Sequence, residues 1–184
     1  RPMHSRLRTL RLRGRPKGPI LMPANTELYV LRHATPKEDS DADNIDRPLS
    51  NLVRRQADSL VDYLSSLNFD AIYTSPYLRA RETIEPLCES TGLVAKVRKG
   101  LSESAEDEEL QAVGKRVTRV VNAIVKEHPE GRVLVCTHGG CMWGLIAPFD
   151  DTIGHKENKK IKCPDMRQIV YENGTPRLIE QLTF

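Results

Sequence analysis

No stretch of this 184-residue chain holds the roughly 18 consecutive apolar residues that a membrane-crossing helix needs, so no membrane span is expected. Paired cysteines are missing too. Cys88, Cys136, Cys141 and Cys163 stand far apart or inside apolar segments, and none forms the C-x-x-C spacing of zinc or redox sites. Buried free thiols in a reducing compartment are the expectation. Internal repeats and low-complexity blocks are absent, and 39% apolar with 29% charged residues is the composition of an ordinary globular domain. Acid is wholly lacking from residues 1–26, which carry seven arginines and lysines. The remaining 21 basic residues face 25 acidic ones in residues 27–184, so a mildly acidic single domain follows a basic arm. The arm at 1–26 reads as appended or flexible sequence, with Met22 to Thr26 resembling a natural start. Organelle import is the alternative reading, and a nucleic-acid partner is less favoured than either. A cytoplasmic location is expected, or an organelle if the arm is native. The pattern carries no signature of oligomeric state.

What is present, from residue 27 onward, is an alternation of short apolar runs with longer amphipathic ones, the pattern of a layered α/β domain. Leu28 to Leu31 reads as a strand. The polar stretch Thr35 to Arg47 reads as a loop over its end. Ser50 is a good N-cap, and Val53, Ala57, Leu60, Val61 and Leu64 recur at helical spacing to about Ser66. Residues 70–74 read as a second strand, stopped at Ser75-Pro76, with a helix following that Pro86 either ends early or kinks. Val94 to Val97 is a short strand candidate. Leu110, Val113, Val117, Val120, Val121 and Ile124 mark another helix, closed before Pro129-Glu130-Gly131, and Arg132 to Thr137 a further strand. Asn173-Gly174 between two β-prone runs predicts a terminal hairpin.

The chemistry-bearing residues sit at the ends of these runs. Arg32-His33 follows the first strand, Arg79 lies just past the second, and Thr137-His138-Gly139-Gly140 follows the strand at 132–137. In an α/β sheet the carboxyl ends of the strands are where sites are built. Two imidazoles with two guanidiniums suit a metal-free site that holds and attacks a phosphoryl group. Arginine donates parallel hydrogen bonds to phosphate oxygens and stays charged. Neutral imidazole is nucleophilic near pH 7 and can carry the phosphoryl group covalently. Gly139 and Gly140 would let backbone approach an anion, with the amide end of a following helix aimed at it.

Four ordered motifs make the chain resemble the histidine phosphatase superfamily, also called phosphoglycerate mutase-like. They are Leu31-Arg32-His33-Ala34, then Arg47-Pro48-Leu49-Ser50 with Gln56-Ala57, then Ser75-Pro76-Tyr77-Leu78-Arg79-Ala80 with Thr83, and Val135-Cys136-Thr137-His138-Gly139-Gly140. The resemblance implies a three-layer α/β/α sandwich around a mostly parallel sheet, with no metal or organic cofactor. It implies that His33 is transiently phosphorylated and that Arg32, Arg79, His138 and Gly139 complete the phosphate pocket. Members that cleave ordinary esters place a carboxylic acid beside the pocket. Glu103, in Leu101-Ser102-Glu103, fits that role, with Glu82 a weaker competitor and Glu106 to Glu109 reading as a helix start.

Ala34 and Thr35 depart from the residues many members carry there. The short interval from Glu103 to Leu110 lacks the insertion with which mutases enclose their substrate. A compact phosphatase acting on a small phosphorylated substrate is therefore expected. The alternatives are a protein phosphohistidine phosphatase and a catalytically weak phospho-ligand or nucleic-acid-associated module. Tyr77, Met142 and Trp143 are candidates for an apolar pocket wall, although Met142 and Trp143 suit the core as well. Lys156, Lys159, Lys160 and Lys162 form a basic cluster that could steer a dianion.

Overall fold

Strand alternation alone builds the layers. In β1 (Asn25–Arg32), Leu28 and Val30 point to one side and Tyr29 and Leu31 to the other. β4 (Arg132–Thr137) repeats this with Val133 and Val135 against Leu134 and Cys136, and β2 (Ala71–Thr74) with Ala71 and Tyr73 against Ile72. Strands apolar on both faces need cover on both. One face is covered by α3 (Leu110–Glu127) and α4 (Gly139–Ile146), the other by α1 (Asn51–Ser66) and α2 (Leu78–Thr91). The result is the expected α/β/α sandwich. The computed structural model describes residues 25–38, 43–149 and 161–182, the side chains at 52–54, 56, 59 and 178 aside. Almost all of the basic arm, and Lys156, Lys159 and Lys160, lie outside them. Among the described residues, no helix is long and apolar enough to cross a membrane.

The six-stranded sheet has the order β3-β2-β4-β1-β5-β6, where β3 is Lys96–Val97, β5 Asp165–Glu172 and β6 Thr175–Leu182. The four strands from β3 to β1 are mutually parallel, and the β5–β6 hairpin continues the sheet antiparallel beyond β1. Asn173 (φ 51°) and Gly174 (φ 78°) form its turn, both in the left-handed region that this dipeptide tolerates.

Helix boundaries follow the apolar stripes closely. Ala57, Leu60 and Leu64 of α1 are buried while Arg55, Asp58 and Asp62 are exposed. Val113, Val117, Val121 and Ile124 of α3 are buried to 1% exposure or less. Each fully buried aliphatic side chain contributes about 1.5–3 kcal/mol. α3 and α4 meet at a glycine pair: a Cβ on Gly144 would lie 2.4 Å from Gly114 Cα. One alternative is removed and one expectation is corrected. Pro86 does not end α2, which runs on to Thr91 with Ile84 and Leu87 buried either side of the proline, and stops at Gly92 (φ 74°), whose N–H reaches the Cys88 carbonyl. Packing of that stripe outweighs the one helical hydrogen bond a proline removes. The strand at 94–97 is only Lys96–Val97, and Val94 is 84% exposed, because at the sheet edge nothing covers it.

Candidate active site

Register brings the site together. Arg32 pairs with Thr137, and His33 N–H donates to the Thr137 carbonyl at 3.0 Å, so His33 and His138 leave adjacent parallel strands side by side. On the other side of β4, Thr74 pairs with Cys136 and Ser75 N–H donates to the Cys136 carbonyl at 3.0 Å. The two imidazole centroids lie 5.0 Å apart. Both rings are buried, His33 at 3% exposure and His138 at 0%.

His33 is wired through both nitrogens. Nδ1 lies 2.7 Å from the Ala34 carbonyl, which can only accept, so Nδ1 carries the proton. Nε2 therefore bears the lone pair, and Arg79 Nε donates to it at 3.1 Å. Burial above all, with Arg79 and Arg32 as neighbouring cations, pushes His33 down to about 3. The ring is neutral across the physiological range.

Arg79, 4% exposed, is carried on the first turn of α2. Its Nη1 donates to the Asn44 carbonyl at 2.6 Å and Oδ1 at 3.1 Å, and its guanidinium lies 4.8 Å from the Tyr77 ring centroid. Burial lowers this guanidinium from its usual range while the Glu103 charge pulls it back up. Arg32 closes the pocket from β1, its Nη1 donating to the Ile161 carbonyl and its buried Nε without a hydrogen-bond partner among the described residues. Gly139 and Gly140 serve side chains as much as any anion. A Cβ at Gly139 would lie 3.2 Å from Arg32 Cζ, and one at Gly140 would lie 3.1 Å from Glu103 Oε1.

His138 sits at the N-cap of α4. Its Nε2 is 2.7 Å from Ser75 Oγ, and its Nδ1 is buried, without a hydrogen bond among the described residues, 3.8 Å from Glu103 Oε2. Burial first, then His33 and the cations Arg79, Arg32 and Arg116, lowers it to about 2. Glu103 rides on a loop clamped by Arg116, which donates to the Gly100 and Ser102 carbonyls at 2.8 and 3.1 Å and grips Glu108 through Nε at 2.9 Å and Nη2 at 2.7 Å.

Every sequence-predicted site residue thus converges here: Arg32, His33, Arg79, Glu103, His138 and Gly139. Glu82 does not, because its carboxylate accepts from Leu49 N–H at 2.7 Å and ties down the preceding loop. Met142 (0%) and Trp143 (6%) belong to the core, leaving Tyr77, whose ring lies 4.9 Å from His138, as the aromatic wall. Cys88 and Cys163 are only partly buried, against the expectation of four buried thiols. Cys163 lies beside the site with Sγ donating to the His33 carbonyl at 2.7 Å. Sequence reasoning gave no role to Ser75, Asn44 or Arg116. Ser75 showed in the sequence as the residue before a proline at a strand end and as the first residue of the motif that carries Arg79, with no role of its own.

Donor atoms of His33, Glu103 and His138 lie within 4.8 Å of one another, which is metal-ligand spacing. The His33 Nε2 lone pair, however, is engaged by a guanidinium, and Arg32 and Arg79 both raise the positive potential at these donors. The charge pattern fits an oxyanion better than a cation.

Residues 28–107 and 103–180 match the family model of the histidine phosphatase superfamily, branch 1. Over 130 residues, 69% of the chain, the sequence is 29% identical to an 8-oxo-(d)GTP phosphatase of Mycolicibacterium smegmatis, and spans 38% of that protein's length. A phosphoglycerate mutase from Bacillus anthracis shares the fold with a TM-score of 0.73 at 20% identity, over 87% of this chain and 93% of that one. So does a mycobacterial glucosyl-3-phosphoglycerate phosphatase, with a TM-score of 0.68 at 20% identity over 85% and 97% of the two chains.

Proposed function

The chain belongs to the histidine phosphatase superfamily, and from that membership we propose that it is a phosphatase that hydrolyses small phosphate monoesters through a phosphohistidine at His33, without metal. The observation that carries this reading is the wiring of His33: a neutral ring, its proton held on Nδ1 by the Ala34 carbonyl and its Nε2 lone pair facing the Arg79 guanidinium.

In the first step Nε2 attacks phosphorus as the bond to the leaving oxygen breaks. The Glu103 carboxyl gives its proton to that oxygen. Arg32 and Arg79 neutralise the equatorial oxygens, helped by an N–H from His138 and the amide end of α4 at Gly139. Arg79 must then turn its hydrogen bond from Nε2 to phosphoryl oxygen, which exposes the lone pair only when an anion is bound. The phosphorylated ring keeps its Nδ1 proton on the Ala34 carbonyl. In the second step the Glu103 carboxylate takes a proton from water, whose oxygen attacks phosphorus and breaks the N–P bond. Inorganic phosphate leaves and His33 returns to its neutral form.

The relatives named for 8-oxo-(d)GTP and glucosyl-3-phosphoglycerate, a nucleoside triphosphate and a phosphate monoester, support small phosphorylated molecules as the substrate class. Glu103 beside the pocket supports a leaving group poor enough to need a proton, which phosphohistidine does not. A panel of metabolite phosphates assayed with a chelator present tests the reading. Phosphate release unaffected by the chelator is expected, whereas release abolished by it and restored by a divalent cation would overturn metal independence.

A further inference from the structure

Resting on the phosphatase reading above, we propose that Ser75 is a positioning residue that locks His138 as the Nδ1–H tautomer. The two side-by-side imidazoles would then offer one phosphoryl group complementary atoms: a lone pair from His33 to phosphorus and an N–H donor from His138 to an equatorial oxygen.

The argument is one of proton accounting in a dry place. Ser75 is 0% exposed. Its oxygen receives the Tyr77 backbone N–H at 3.2 Å and lies 2.7 Å from His138 Nε2. Two arrangements of protons are conceivable. If Nε2 bore the hydrogen, Ser75 Oγ would accept two donors and its own proton would lack an acceptor among the described contacts. The Nδ1 lone pair would also be left without a donor, since the nearest Glu103 oxygen is 3.8 Å away, beyond a hydrogen bond. If instead Ser75 O–H donates to Nε2, the Tyr77 amide gives to Ser75 and Ser75 gives to His138, and the one group left without a hydrogen bond is Nδ1–H, 3.8 Å from Glu103 Oε2. The first arrangement leaves two buried groups unmet, the Ser75 hydroxyl proton and the Nδ1 lone pair, and the second leaves one; at about 1–3 kcal/mol for an unmet buried polar group, the second arrangement wins. The unpartnered, fully buried Nδ1 is then an N–H held ready for a phosphoryl oxygen.

The fold holds this hydroxyl in place from both sides. Ser75 N–H extends β2 by one residue along β4 through the Cys136 carbonyl. The Tyr77 ring packs on His138 at 66° to it and limits rotation of the imidazole. His33 uses a carbonyl for the opposite purpose, since the Ala34 oxygen can only accept and so puts its proton on Nδ1, away from the attacking nitrogen. One histidine is set by an acceptor and the other by a donor.

Long-range proton–nitrogen correlation spectra of the imidazole-labelled full chain read the tautomers directly. For wild type at neutral pH, His138 is expected to show a protonated Nδ1 and a lone pair on Nε2. Ser75→Ala should lose that pattern, moving His138 toward the Nε2–H form, and weaken orthovanadate binding about tenfold, the equivalent of about 1.4 kcal/mol. Ser75→Thr, which keeps the hydroxyl, should retain the wild-type tautomer. An Nε2–H signal for His138 in wild type would overturn the proposal, and would do so even if Ser75→Ala failed to fold. An unchanged His138 pattern in a folded Ser75→Ala would overturn it as well. Failure of the phosphatase reading is distinguishable: wild type would release no phosphate from any monoester while its spectra still reported the tautomer.

Discussion

The end of β1 and the end of β4 look alike in sequence and differ in wiring. Each delivers one buried, neutral histidine after an apolar strand, and the rings are 5.0 Å apart. At the β1 end, a carbonyl and a guanidinium take the two ring nitrogens of His33. At the β4 end, a hydroxyl takes one nitrogen of His138, and the other is 3.8 Å from a carboxylate with no hydrogen bond. Residue type and strand position are therefore not enough to assign a role. In the proposed mechanism, the partner of each ring nitrogen decides which histidine attacks and which one donates.

Alanine at each position tests that asymmetry most severely. His33→Ala is expected to abolish turnover, by about 10⁴-fold or more, since it removes the lone pair that the proposed mechanism sets against phosphorus. His138→Ala should keep measurable turnover, reduced about 10²–10³-fold as for loss of one oxyanion donor. Equal losses in steady-state assays would break the comparison. Glu103→Gln should lower kcat about 10–10²-fold for alkyl phosphates and far less for an activated aryl phosphate, whose leaving oxygen needs no proton. A uniform loss across both substrates would reassign Glu103 to binding.

A smaller effect follows from burial of both rings. In the unfolded chain the two histidines take up protons near pH 6.5. Folded, they resist until about 3 for His33 and about 2 for His138. Between those limits the unfolded state binds more protons, so stability is present above pH 6.5 and falls as the pH drops. Each histidine contributes at most about 1.4 kcal/mol per pH unit to that slope. Denaturant melts of a His33→Asn, His138→Asn double variant from pH 7 to 4 should show a flatter fall than wild type. An identical slope would mean the rings are not held neutral.

Much of this was legible in the sequence because it is written in short-range signals. Apolar alternation placed β1, β2 and β4. The α3 stripe and Asn173-Gly174 placed a helix and a hairpin, and strand ends marked Arg32, His33, Arg79 and His138. Features set by tertiary contact were not legible. Ser75 meets His138 across 63 residues, Cys163 meets His33 across 130, and Asn44 meets Arg79 across 35. No local pattern encodes these meetings. For the same reason the effect of Pro86 stayed open between an early end and a kink, since a helix tolerates a proline where buried neighbours hold its turn. Met142 and Trp143 stayed open between pocket wall and core, because closeness in sequence to His138 does not say which side of α4 faces the core.

The central claim is that His33 Nε2 carries the phosphoryl group, and rapid quenching after mixing with a ³²P-labelled monoester tests it most directly. Base-stable, acid-labile label on His33, absent from His33→Ala, is the predicted result. Label on another residue, or turnover with no labelled protein at any quench time, would contradict it.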